Sequence, residues 1–82
     1  MSYAPPASPS ITQARADSNG YLALTYVDKR LLLQIRHSAA GYFIGTADES
    51  GPISRESFEY FRSHQAASHA LTTGRWHQRL YP

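Results

Sequence analysis

The side chains that could do chemistry in this chain are four histidines, a scatter of serines, six acids and eight cations, seven of them arginine. His64 and His69 lie five residues apart, which on a helix turns them about 140° from each other. That spacing misses the i, i+4 pairing through which two imidazoles share an ion, and His37 and His77 stand on separate segments. No cysteine is present, so thiolate nucleophiles, sulfur-based zinc sites and disulfides are excluded. Neither a metal nor a cofactor is expected. Serines, histidines and acids are the raw material of a hydrolase, but no G-x-S-x-G elbow, paired-carboxylate motif or Gly-rich phosphate loop frames them. Glu56 and Glu59 read as solvated charges opposite Arg55 and Arg62. The expectation is that the chain is not an enzyme.

Arginine and aromatic side chains carry the stronger signal. Arginine suits bidentate contacts with carboxylate or phosphate, and with ten aromatics it supplies the residue types that dominate interface hot spots. Arg30 and Arg36 fall on the same side of an alternating segment as Gln34, and the C-terminal run interleaves Arg75, Trp76, Arg79 and Tyr81. Arg30, Arg36, Arg75, Trp76 and Arg79 are therefore the candidate binding residues. For Trp76 the competing reading is the core, because tryptophan and tyrosine are the largest apolar groups available to so small a chain. Arginines and exposed aromatics on a sheet also hold single-stranded RNA or DNA. The net charge of +2 does not compel that, however, and no aromatic ribonucleoprotein signature is present. A protein partner comes first, and a small RNA- or DNA-binding domain using the same face is the alternative.

The elements that must position these residues are few, because 82 residues support about one small core. A second copy of the chain that covered more apolar surface would stabilise it, so a homodimer is a candidate assembly. Residues 1–18 open with Pro5, Pro6 and Pro9 among alanines and serines, a composition that predicts a disordered Pro/Ala/Ser-rich arm. Residues 19–82 then form a single small α+β domain. Residues 21–27, rich in tyrosine, leucine, threonine and valine, predict a strand. Residues 31–37 alternate Leu31, Leu33 and Ile35 with Leu32, Gln34 and Arg36, a second strand, and residues 42–47 are a third. Residues 48–52 are the strongest turn. Residues 53–62 fit either a helix or a fourth strand, and the strand is preferred. Ser63 is placed to cap a helix over 64–73 with Ala66, Ala67, Ala70 and Leu71 on one stripe, closed by Gly74. Residues 75–80 alternate again, with Trp76, Gln78 and Leu80 on one side, a pattern open to a short edge strand returning to the sheet. The predicted fold is an antiparallel meander sheet of three to five strands with one helix packed on one face. No secretory leader and no apolar run of the roughly 20 residues that cross a bilayer is visible, which predicts a cytoplasmic protein with no membrane partner.

Three stretches together resemble a pattern in small proteins of proteobacterial plasmids and other mobile elements: Tyr42-Phe43-Ile44-Gly45-Thr46-Ala47-Asp48, Gly51-Pro52-Ile53-Ser54-Arg55-Glu56-Ser57, and Tyr60 followed by the Ala-rich helix into Gly74-Arg75-Trp76. The resemblance covers about half the chain and brings no catalytic residues. It implies a bacterial, mobile-element setting, in which small cysteine-free proteins often block a host defence complex by binding it. An anti-CRISPR or anti-restriction role is one expectation of that kind.

Overall fold

The computed structural model describes residues 18–82, and the expected arm lies outside them except for Ser18. The elements are α1 (Tyr21–Val27), β1 (Gln34–Ser38), β2 (Gly41–Asp48), β3 (Gly51–Arg55) and α2 (His64–Thr73). The strands form one antiparallel meander in the order β1-β2-β3, so the described residues make an α+β domain with two helices.

Both hairpins turn in two residues. Between β1 and β2 the Ala40 N–H donates to Ser38 Oγ at 3.2 Å. Between β2 and β3 the Ser50 N–H donates to Asp48 Oδ1 at 2.8 Å, a side chain standing in for a backbone turn partner. The chain thus reverses where residues 48–52 predict it, although Gly51 and Pro52 already belong to β3. Pro52 is tolerated because β3 is an edge strand with a bulge beside it, between Thr46 and Ala47 of β2.

Two expectations about the elements are corrected. Residues 21–27 are a helix, not a strand. Their β-rich composition is overridden by a tertiary contact: the Glu56 carboxylate, more than thirty residues away, accepts from the N–H groups of Leu22 at 2.8 Å and Ala23 at 3.1 Å. Residues 53–62 are strand only over their first three residues, which belong to β3, and not throughout. β3 ends at Arg55, and the N–H groups of Glu56 and Ser57 then both donate to the Ile44 carbonyl, which breaks the ladder. Past that point the backbone pairs with the sheet again where Phe61 bridges Tyr42. The C-terminal run also stops short of a strand, with a single bridge between Ser57 and Gln78 flanked by two backbone bonds.

α2 matches its expected boundaries. Ser63 Oγ accepts from the Ala66 N–H at 3.0 Å, and Gly74, in the left-handed region at φ 73°, returns its N–H to the Ala70 carbonyl. The buried stripe Ala67, Ala70 and Leu71 packs α2 on the face of β1 and β2 that carries Ile35 and Ile44. Leu33, Ile44, Ala70, Leu71 and Trp76 make the core, with Ile35 and Phe61 against it. Among the described residues no helix is long and apolar enough to cross a membrane.

Candidate functional site

Glu56 has no solvent exposure, which overturns its reading as a solvated charge. Both its oxygens are occupied by donors. Oε1 takes the Leu22 N–H and Gln78 Nε2 at 2.7 Å, while Oε2 takes the Ala23 N–H and the Ser54 hydroxyl at 2.5 Å. Because Ser54 donates to Glu56, the Thr46 hydroxyl must be the donor in its 2.6 Å contact with Ser54. The serine beside a carboxylate looks like a nucleophile beside its base, but every group in this chain of bonds is already engaged in holding another. Its effect is positional: it fixes α1, β3 and the C-terminal tail relative to one another.

The three elements so fixed enclose a recess of about 220 Å³, with walls of Leu22, Tyr26, Val27, Ile53 and Pro82 and polar groups from Ser54, Arg55 and Arg79. The tail is held over it by two further bonds, from the Tyr26 hydroxyl to the Leu80 carbonyl at 3.1 Å and from Arg79 Nη1 to the Arg55 carbonyl at 3.1 Å. Arg55 is itself braced, with Nη1 donating to the carbonyls of Ser57 and Phe58 and its guanidinium carbon 4.6 Å from the centre of the Tyr60 ring. Among the described residues no carboxylate pairs with Arg55 or Arg79. Tyr26, Val27, Leu80, Phe58 and Tyr81 stand exposed, the last two at 72%. The neighbourhood therefore combines two cations without a paired anion and apolar side chains left in water, a combination suited to a ligand carrying both an apolar group and a negative charge.

The five candidate binding residues do not converge. Trp76 is 1% exposed and belongs to the core, so it leaves the proposed surface, for the reason that favoured a core role from composition: it is the largest apolar group the small core has. Arg30 is exposed in the connection after α1, and Arg75 is exposed just beyond the α2 cap. Arg36 lies opposite Phe43 on the outer face of the sheet, where its Nη1 meets Gln34 Oε1 at 3.2 Å. Only Arg79 lines the recess. Arg55, which the sequence reading paired with an acid, is the residue that reading missed, and no local pattern marks it.

Two further carboxyls, Glu59 and Asp48, are each paired with a cationic or imidazole side chain. Burial raises the Glu59 carboxyl, but the His77 N–H, at 2.9 and 3.1 Å from its two oxygens, and the His77 ring outweigh it, so the group sits below the usual glutamate range. The Lys29 ammonium at 2.6 Å and the Ser50 N–H hold Asp48 below the usual aspartate range. His37 stacks on Tyr42 at 4.2 Å, with His64 edge-on to the same ring, and no group of three or more His, Asp or Glu among the described residues could hold a metal. Comparisons with protein-family models, with curated proteins and with solved structures found no match to this chain.

Proposed function

We propose that this chain is a non-catalytic protein-binding module that seats an acidic, apolar-bearing segment of a partner protein in the recess between α1, β3 and the C-terminal tail. The observation that carries this reading is Arg79 at the wall of a largely apolar recess, with no carboxylate among the described residues to neutralise it, beside Arg55, whose guanidinium lies over Tyr60. Arginine beside exposed tyrosine and phenylalanine is the composition of interface hot spots. The depth suits one or two side chains rather than a substrate enclosed on all sides. If the chain works in the mobile-element setting its sequence resembles, a host defence complex is the natural place to look for that partner.

The nucleic-acid alternative draws on the outer sheet face, where Arg36, Phe43, Arg55 and Tyr60 gather. It is weaker because those rings are already committed. Phe43 packs edge-on to Tyr60 at 5.9 Å, and Arg55 covers Tyr60, which leaves fewer free ring faces for bases to stack on. The two readings separate in an affinity capture from bacterial lysate, with and without nuclease, using wild type beside an Arg79→Ser, Tyr81→Ser double variant. Nuclease-resistant capture that the variant loses supports the recess. Capture abolished by nuclease and by raised salt moves nucleic acid to first place, and capture indifferent to the variant removes the recess from the argument.

A further inference from the structure

The edge of β1 turned away from β2 presents a row of backbone groups whose direction follows from the bonds around β2. The Ile44 N–H donates to Ser57 Oγ and its carbonyl accepts from Glu56 and Ser57, while the N–H and carbonyl of Tyr42 exchange bonds with Phe61. Both residues thus turn their backbone groups away from β1. In an antiparallel ladder the residues opposite them, Ile35 and His37, must then turn theirs away from β2. Upstream on this same edge the Leu33 N–H reaches the Ser18 carbonyl at 2.9 Å and the Gly20 N–H reaches the Leu31 carbonyl at 2.8 Å. Beyond Leu33 the N–H and carbonyl of Ile35 and of His37 have no backbone partner among the described residues. An unpaired edge of this kind is a template for a further strand.

Charge selects the occupant. A second copy paired antiparallel on the two open residues sets each Ile35 against the other copy's His37, which places the two Arg36 side chains directly opposite each other. Like charges in that position are destabilising. The only hydrogen-bond partner of the Arg36 guanidinium among the described residues is the neutral Gln34 side chain. An incoming strand with a carboxylate at the same position replaces repulsion with attraction. Ile35, half-buried against the core on the opposite face, offers an apolar contact to the residues on either side of that carboxylate.

We propose that the β1 edge accepts an extended acidic segment of a partner protein as a fourth strand, hydrogen-bonded to Ile35 and His37, with an Asp or Glu opposite Arg36. This edge is separate from the recess, so the two sites stand or fall independently. The test uses the isotope-labelled full chain and two end-blocked peptides, Ser-Thr-Val-Glu-Val-Thr-Ser and the same peptide with Lys at its centre. The Glu peptide is expected to move the Ile35 and His37 amide signals and to slow their exchange with solvent by about tenfold or more, while the Lys peptide leaves them unchanged. Arg36→Glu should reverse the preference. His37→Pro should abolish binding while leaving the β2 ladder intact, since the N–H it removes points outward. The proposal is overturned if neither peptide moves those amides, if both do so equally, or if Arg36→Glu leaves the preference unchanged. It is equally overturned if the amides already exchange slowly in the dilute free chain, or become protected as protein concentration alone rises.

Discussion

Glu56 shows how much of this molecule rests on single side chains. Four donors converge on one carboxylate that no solvent reaches, so replacing it by the isosteric amide turns one acceptor into a donor facing at least one backbone N–H that cannot reverse its role. Each buried donor left unpaired costs about 1–3 kcal/mol. Glu56→Gln is therefore expected to lose about 1–3 kcal/mol of stability by denaturant titration; a variant as stable as wild type would mean the network does not hold the three elements together. Gly20 is required by the same site for a steric reason. A methyl group there would lie 2.5 Å from Thr46 Cγ2 and 2.6 Å from Glu56 Oε2, closer than packed atoms approach. Gly20→Ala should lower stability by about 1–3 kcal/mol, read as a fall in Tm of roughly 4–8 °C per kcal/mol. An unchanged melt would show that the backbone at this position yields freely.

The two helices differ in what makes them helical. α2 is specified locally, by a serine cap, an alanine-rich stripe and a glycine stop, so its terminal interactions can be removed one at a time. Ser63→Ala takes away the acceptor for the Ala66 N–H and should cost about 1 kcal/mol in thermal melts, with α2 shortened at its start. If chemical shifts of the variant show no fraying of the first turn, the cap is redundant. α1 has no side-chain cap of its own and ends at Asp28, which adopts the left-handed conformation at φ 59° without being glycine. Its seven residues bury only Leu22 and Ala23. What keeps it helical lies elsewhere in the chain, in Glu56 and in the tail that Tyr26 holds, so Glu56→Gln should loosen α1 before it disturbs the sheet. Amide exchange resolved by residue would reveal that order.

At the scale of the whole molecule, pH acts through two lowered carboxyls. Glu59 lies below the usual glutamate range in the folded chain because of His77, and Asp48 below the aspartate range because of Lys29. A depressed folded value means that the stabilisation is fully present above the unfolded value and is lost as pH falls through the folded one. Stability is thus expected to be level above the ordinary carboxylate range, near pH 4, and to fall below it. His77→Ala removes the ring partner of Glu59 while keeping the backbone donor, so the folded value moves back toward the unfolded one: the variant should start from a lower plateau and lose less stability as pH falls through the acid range. The single tryptophan, buried at position 76, reports the transition by its fluorescence. Superimposable acid limbs for wild type and variant would remove the His77 ring from the account.

What was legible in the sequence was whatever is encoded between near neighbours: the alternation of β1, the reversal before Gly51, and α2 with Ser63 and Gly74 at its ends. Those signals survive because alternation, turn chemistry and caps act within a few residues. The alternation around Trp76 was likewise visible, though whether its side chain faced core or solvent was not. Tertiary structure decided the rest. A strand-like composition became α1 because its first N–H groups meet a carboxylate from across the fold, and Arg55 and Arg79, 24 residues apart, became neighbours because the tail lies beside the end of β3. Composition could nominate arginines and aromatics for a surface. Which of them share a recess depends on contacts between segments far apart in the chain, which no local pattern records.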